Sequence, residues 1–149
     1  MSLNFAIIGC GRIAGRHAEQ MIQHGKLVAV CDIIPEKAEA LAALYGATAY
    51  NSIESLLHAE PVLDLIAICT PNGLHATHSI KALEAGHHVL CEKPLCIAVE
   101  DGKMMIAAAA KSGKKLFVVK QNRYNPPVAF LKELITDGNL GKIYSFQVN

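Results

Sequence analysis

Short apolar runs alternate along this chain with segments of helical spacing, and the alternation repeats almost to the end. "NFAIIG" reads as a buried strand. "RIAGRHAEQMIQHG" brings Ile13, His17, Met21 and Ile22 near one helical face, with Gly25 as its stop. "KLVAVCD" is a second strand. "PEKAEALAALYG" is a helix that opens on Pro35, carries Glu36 at its positive end and closes on Gly46. "ATAY" is a weak third strand, "SIESLLHA" a short helix, and "LDLIAICT" a strong strand broken by "PNG". The second half repeats the scheme. "LHATHSIKALEAG" is a helix, "HHVLCE" a strand, "AVEDGKMMIAAAAKSG" a helix, "KKLFVVKQN" a strand and "PPVAFLKELITDGNLG" a helix. The last segment, "KIYSFQVN", alternates as a strand does.

Most of these strands show little polar alternation, which marks a parallel sheet covered on both faces. Right-handed crossovers then predict an α/β, doubly wound parallel sheet in the order 3-2-1-4-5-6. A length of 149 residues suits one such domain. Apolar residues are 52% of the chain, enough for a sizeable core, while charged residues are only 18%. A sheet buried on two sides explains that balance; so does apolar surface that belongs against something outside this chain. The net charge of +1 is spread without a basic stripe, so no nucleic-acid partner is expected. No long apolar run and no basic n-region is present, so neither a membrane span nor a signal peptide is expected. Cys10, Cys31, Cys69, Cys91 and Cys96 form no CxxC pair. Their odd number suits free thiols in a reducing cytoplasm, and no metal site is expected from them.

Gly9-Cys10-Gly11-Arg12-Ile13-Ala14 reads GxGxxA between a strand and a helix. That is the setting in which a glycine turn cradles a dinucleotide. Gly9 permits the tight turn, Gly11 leaves room for a pyrophosphate, and Ala14 permits close helix–strand packing. The helix start at Arg12 and Ile13 offers unpaired N–H groups and the positive dipole end. Asp32 ends the second strand, 23 residues beyond Gly9, the distance expected of a carboxylate that accepts from the adenosine ribose hydroxyls. No arginine adjoins it, and Lys37 is expected to face solvent from a helix. These features predict NAD rather than NADP.

In an open α/β sheet, ligands bind beyond the carboxyl ends of the strands. Three later strand ends carry polar chemistry: "CTPNGLH", "CEKPL" and "KQNRYNPP". Thr70, Pro71 and Asn72 offer a hydroxyl, a rigid turn and an amide near the cofactor ribose, and His75 begins the next helix. His75 and His78 are spaced i,i+3, but no carboxylate or thiolate lies at ligand spacing, so a metal is not expected there. His87 and His88 read as turn and strand-edge residues. Gln121, Asn122, Arg123 and Tyr124 have two readings. They hold the nicotinamide carboxamide, or a substrate carboxylate or phosphate through the arginine fork; or they form a solvated turn before Pro126 and Pro127.

GCGRIA, Asp32, TPNGLH and EKP, in this order, resemble the glucose–fructose oxidoreductase/inositol dehydrogenase (Gfo/Idh/MocA) family, from Phe5 to the last strand. The resemblance implies an NAD(P)-dependent oxidoreductase of sugars or cyclitols. It also implies a C-terminal α/β domain whose open sheet makes dimers or tetramers. Residues 1–140 are then the NAD-binding Rossmann domain, and 141–149 begin a second domain that this chain lacks. "VVKQNRYNPPV" is similar to the branch that oxidises the 3-hydroxyl of UDP-linked N-acetylglucosaminuronic acid. In the family the lysine of EKP is catalytic, here Lys93, and its peptide bond to the proline is often cis. Lys93 would donate a hydrogen bond to the forming carbonyl oxygen or, if desolvated, accept the hydroxyl proton. Glu92 would orient the ammonium or contact the nicotinamide ribose. Successive strand residues point to opposite faces, so the two cannot both enter one pocket from a regular strand. The aspartate and histidine that share the chemistry lie beyond Asn149, so the chain is expected to bind cofactor without turnover. A non-catalytic NAD(H)-sensing module is the alternative, and it has no need of Lys93.

Overall fold

The computed structural model describes residues 2–147. Six parallel strands form one sheet: β1 (Leu3–Ile8), β2 (Gly25–Cys31), β3 (Thr48–Tyr50), β4 (Leu65–Ile68), β5 (His88–Cys91) and β6 (Leu116–Val118). Their order is β3-β2-β1-β4-β5-β6, as the sequence pattern predicts. Five helices connect them: α1 (Ala14–His24), α2 (Pro35–Tyr45), α3 (Ile53–Ala59), α4 (His75–Glu84) and α5 (Val99–Ser112).

The core lies in two layers, one on each face, because successive strand residues point to opposite sides. Phe5, Ile7, Leu27, Val30 and Ala67 pack with Ala14, Ala18 and Met21 of α1 and Ala38, Leu41 and Ala42 of α2. Ala6, Ile8, Ala29, Ile66, Ile68 and Val89 pack with residues of α3, α4 and α5, among them Leu56, Leu83 and Met105. The β1–β2 register shifts between Phe5 and Ala6, so Phe5 faces Leu27 while Ala6 faces Ala29. That bulge lets Val28 and Ala29 both serve the second layer.

The α1–β2 connection has no loop residue: α1 ends at His24 and β2 begins at Gly25. Gly25 has a φ of 176°, ordinary extended backbone. It is required for space, because a Cβ there would stand 2.1 Å from the Leu3 carbonyl oxygen.

The chain divides into two compact units, Met1–Val119 and Lys120–Asn149. The second contains a 3₁₀ turn, Gln121–Tyr124, and α6 (Pro126–Thr136), with Pro126 and Pro127 in its first turn. The strand expected over "KIYSFQVN" is not formed across 142–147, and Val148 and Asn149 lie outside the described residues. An extended segment becomes a strand only when a neighbouring strand completes its ladder, and alternation alone does not supply one. Among the described residues no helix is long and apolar enough to cross a membrane.

Candidate dinucleotide site at the strand carboxyl ends

The glycine turn sits on the extension of β1, where the Gly9 N–H donates to the Cys31 carbonyl at 2.8 Å. Gly9 has φ +94°, and a Cβ there would lie 2.6 Å from the Cys69 backbone. Only glycine satisfies both conditions. Gly11 differs: a Cβ there would meet nothing within 4 Å. The protein itself leaves that space open, as a phosphate-binding turn requires. Ala14 is buried, and no side chain caps the start of α1, where Arg12 is exposed and Ile13 half-buried. Its N–H groups and positive dipole end are thus available to an anion. These features fit a dinucleotide pyrophosphate.

Asp32 follows β2 directly. Its Oδ2 accepts from the Cys10 N–H at 2.8 Å and its Oδ1 from the Ile34 N–H at 2.9 Å. Each oxygen keeps a further lone pair, so the carboxylate can also accept from two vicinal hydroxyls. The bond to Cys10 gives Asp32 a second task that spacing alone did not show: it ties the ribose end of the site to the glycine turn. A cleft of about 510 Å³ opens beside it, lined by Gly9, Gly11, Asp32, Ile34, Thr70 and Pro71 among others. Lys37, expected to face solvent only, is exposed and also lines this cleft. Lys81 and Glu54 form an ion pair on its wall.

The thiols around the turn are unreactive by environment. Burial, with the charge of Asp32 adding, pushes the Cys10 thiol up to about 12 and the Cys31 thiol up to about 11. Burial raises Cys69 as well.

Beyond β4, Thr70 is half-buried, Pro71 exposed, and Asn72 opens a 3₁₀ turn, Asn72–Leu74. Thr70 Oγ1 lies 3.3 Å from Nδ1 of His78, whose pKa is lowered, chiefly by burial. His75, which begins α4, is 1% exposed, with Nε2 2.8 Å from the Thr70 carbonyl and Nδ1 2.7 Å from the Pro94 carbonyl. Both ring nitrogens face backbone carbonyls.

Beyond β5, Glu92 and Lys93 part company. Glu92 is buried at 8% exposure, and its backbone N–H donates to the Ile68 carbonyl. Its Oε1 lies 2.7 Å from Nε2 of His17 on α1, and its Oε2 accepts from the Lys93 N–H at 3.1 Å. Glu92 therefore orients the lysine through its backbone and not through its ammonium. A buried carboxylate needs such partners to offset its lost hydration. Lys93 is exposed, and the Lys93–Pro94 bond is cis. Neither Glu92 nor Lys93 lines the 510 Å³ cleft, whose other walls suit the adenosine half of a dinucleotide. His17, on the helical face shared with Ile13, Met21 and Ile22, is half-buried and reaches Glu92 from there. The available signal was a histidine on the same helical face as Ile13 and Met21. His87 is a turn residue as expected, but it is buried, with Nδ1 2.9 Å from the Leu63 carbonyl.

Asn122, Arg123 and Tyr124 lie in the 3₁₀ turn of the second unit, all exposed. The Asn122 side-chain oxygen accepts from the Asn125 amide at 3.2 Å, which closes the turn before α6. The first unit thus brings together Gly9, Gly11, Asp32, Thr70 and Pro71, with the Glu92–Lys93 loop at a neighbouring strand end.

The family model described as oxidoreductase family, NAD-binding Rossmann fold (GFO_IDH_MocA) matches residues 3–120. The chain belongs to this family. D-glucoside 3-dehydrogenase of Escherichia coli (strain K12) is 39% identical over 95% of this chain and 41% of its own length. The WlbA dehydrogenase from Chromobacterium violaceum, solved with NADH and UDP-GlcNAcA, is 42% identical with a TM-score of 0.90, covering 96% of this chain and 42% of that one. A myo-inositol 2-dehydrogenase from Lactobacillus plantarum is 30% identical with a TM-score of 0.88, over 96% of this chain and 43% of that one. The chain thus spans about two fifths of the relatives it matches. It is the NAD-binding Rossmann part of their fold.

Proposed function

We propose that this chain is the cofactor-binding part of an NAD-dependent dehydrogenase that oxidises a sugar hydroxyl. The best candidate is the 3-hydroxyl of UDP-linked N-acetylglucosaminuronic acid. One observation carries the reading: an exposed lysine, Lys93, follows a strand end beside a dinucleotide turn, on a loop fixed from within by Glu92. A sensor that only holds NAD would need the turn and Asp32 but not that lysine. The substrate choice is supported by "VVKQNRYNPPV" and by the 42% identity to a dehydrogenase solved with UDP-GlcNAcA.

NAD, when bound, accepts the hydride that leaves the substrate carbon. The residues of this chain bind and orient the reactants. Gly9, Gly11 and the start of α1, with Arg12 and Ile13, receive the pyrophosphate. Asp32 accepts from the ribose hydroxyls and repels a 2′-phosphate, which favours NAD even with Lys37 at the cleft. Thr70, Pro71 and Asn72 bound the site beyond β4. Lys93 donates to the substrate oxygen as it becomes a carbonyl, which stabilises charge where it develops. Asn122, Arg123 and Tyr124 are proposed for the carboxamide and a substrate anion. The proton acceptor is proposed to be the aspartate and histidine pair that the family supplies beyond residue 149. Assembly as a dimer or tetramer and a cytoplasmic setting complete the proposal; five free cysteines suit the latter.

The test is a full-length protein supplied with NAD and, separately, UDP-sugars, free sugars and inositols, followed by nicotinamide absorbance. Turnover with UDP-N-acetylglucosaminuronic acid supports the finer reading. Turnover with a free sugar or inositol alone moves the substrate within the family. No turnover with any of them, with NADH still bound, favours the sensor.

A further inference from the structure

We infer that His75 is a positioning residue: a two-ended clamp that joins the loop after β4 to the loop carrying the proposed catalytic Lys93. Three observations converge. The side chain is almost fully buried, at 1% exposure. Nε2 reaches the Thr70 carbonyl at 2.8 Å, at the end of the strand next to β5. Nδ1 reaches the Pro94 carbonyl at 2.7 Å, one residue past Lys93. Carbonyl oxygens only accept, so the ring donates to one of them from whichever nitrogen carries its hydrogen, while its other edge is packed against the second. Among the described histidines, His17 and His87 each have one ring contact of this kind, to a carboxylate and to a carbonyl. His75 alone spans two backbone segments.

The position explains what the clamp does. Between Cys91 and Pro94 the chain leaves the sheet, so no ladder fixes the Lys93 backbone. Glu92 Oε2 holds the Lys93 N–H from one side. The Pro94 carbonyl, held by His75, fixes the other side. Thr70, at the far end of the clamp, lines the cofactor cleft. His75 thereby sets the spacing between the cleft wall and the lysine without touching either ligand. Its importance for catalysis rests on the proposed role of Lys93, but the clamp itself does not.

Two measurements on this 149-residue chain test it. Long-range ¹H–¹⁵N correlation of the histidine rings is expected to show a His75 ring hydrogen that is hydrogen-bonded and exchanges slowly with water; a ring hydrogen that exchanges as fast as those of exposed histidines overturns the clamp. His75→Gln places an amide nitrogen near the Nε2 position and keeps the Thr70 contact. His75→Asn does so near Nδ1 and keeps the Pro94 contact. Amide exchange at Lys93 is expected to rise by about tenfold in His75→Gln, the effect of one lost buried hydrogen bond. Exchange at Leu74, whose N–H donates to Pro71, is expected to rise in His75→Asn instead. Equal changes at both amides in both variants, or no change, overturn the clamp. So does weaker NADH binding with unchanged exchange, which would make His75 a cofactor contact. If either variant fails to fold, the ring spectrum of the unaltered chain decides. In a full-length enzyme, unchanged turnover of Lys93→Ala would refute the catalytic reading and leave these results standing.

Discussion

The glycine turn and the lysine loop are both strand-end connections of one sheet, yet they are built in opposite ways. The turn after β1 is built from backbone and empty space. Gly9 has no room for a Cβ, Gly11 has room that nothing fills, and one carboxylate, Asp32, braces the peptide between them. The loop after β5 is built from side chains that arrive from elsewhere. His17 comes from α1 to Glu92, a separation of 75 residues, and His75 comes from α4 to Pro94. The first device is local and can be recognised as a string of residues. The second exists only after the sheet has brought α1, α4 and β5 together.

Removal of the proposed working group should give the largest effect. Lys93→Ala in a full-length enzyme is expected to lower turnover by roughly 10²–10⁴, the range for a group acting on a proton or oxyanion, with NADH affinity unchanged. Loss of NADH affinity instead would merge the two regions into one binding site. Gly9→Ala comes next. Its positive φ and the 2.6 Å approach to Cys69 predict a loss of roughly 3 kcal/mol in denaturant unfolding. His17→Ala leaves a buried carboxylate with one partner fewer and is expected to cost about 2 kcal/mol, while sparing NADH binding at the turn. A neutral outcome there would show that the loop does not depend on distant side chains.

Gly11→Ala sharpens the contrast inside the turn. Its Cβ meets no protein atom, so unfolding is expected to be unchanged while NADH affinity falls by about tenfold, roughly 1.4 kcal/mol. The smallest effect is chemical. A pKa raised to about 12 or 11 keeps the thiol protonated as pH rises through 8.5, the ordinary value, so the reactive thiolate is absent there. Iodoacetamide at pH 8.5 is therefore expected to leave Cys10 and Cys31 unlabelled by mass spectrometry. Fast labelling of Cys10 would mean that the turn opens on its own.

The same contrast explains what could be read in the sequence. Strand order, the phosphate turn and the placement of Asp32 follow from periodicity and spacing, which are local. His75 was legible as a helix-start residue but not as a buried clamp, because its two partners are set by tertiary packing. The alternation of "KIYSFQVN" suggested a strand, but pairing is a property of two segments and one sequence run supplies only half of it. Strand alternation set Glu92 and Lys93 against sharing one pocket. Their resolution, a carboxylate turned inward and a lysine left outside, needed the position of His17.

The junction at His24 and Gly25 has its own consequence, for engineering. α1 carries the phosphate end of the site, and β2 runs from that junction to Asp32, with no residue between helix and strand. The helix and strand thus act as a ruler with no slack. One residue inserted there would either push α1 off its seat or slip β2 by one position, and such a slip exchanges the two faces of a strand. The Leu3 carbonyl at Gly25 leaves no side chain room to absorb the change. Chimeras, permutants and tags should therefore be joined at other connections of this fold, because a seam here would miscalibrate the span between phosphate and ribose before it visibly harmed anything else.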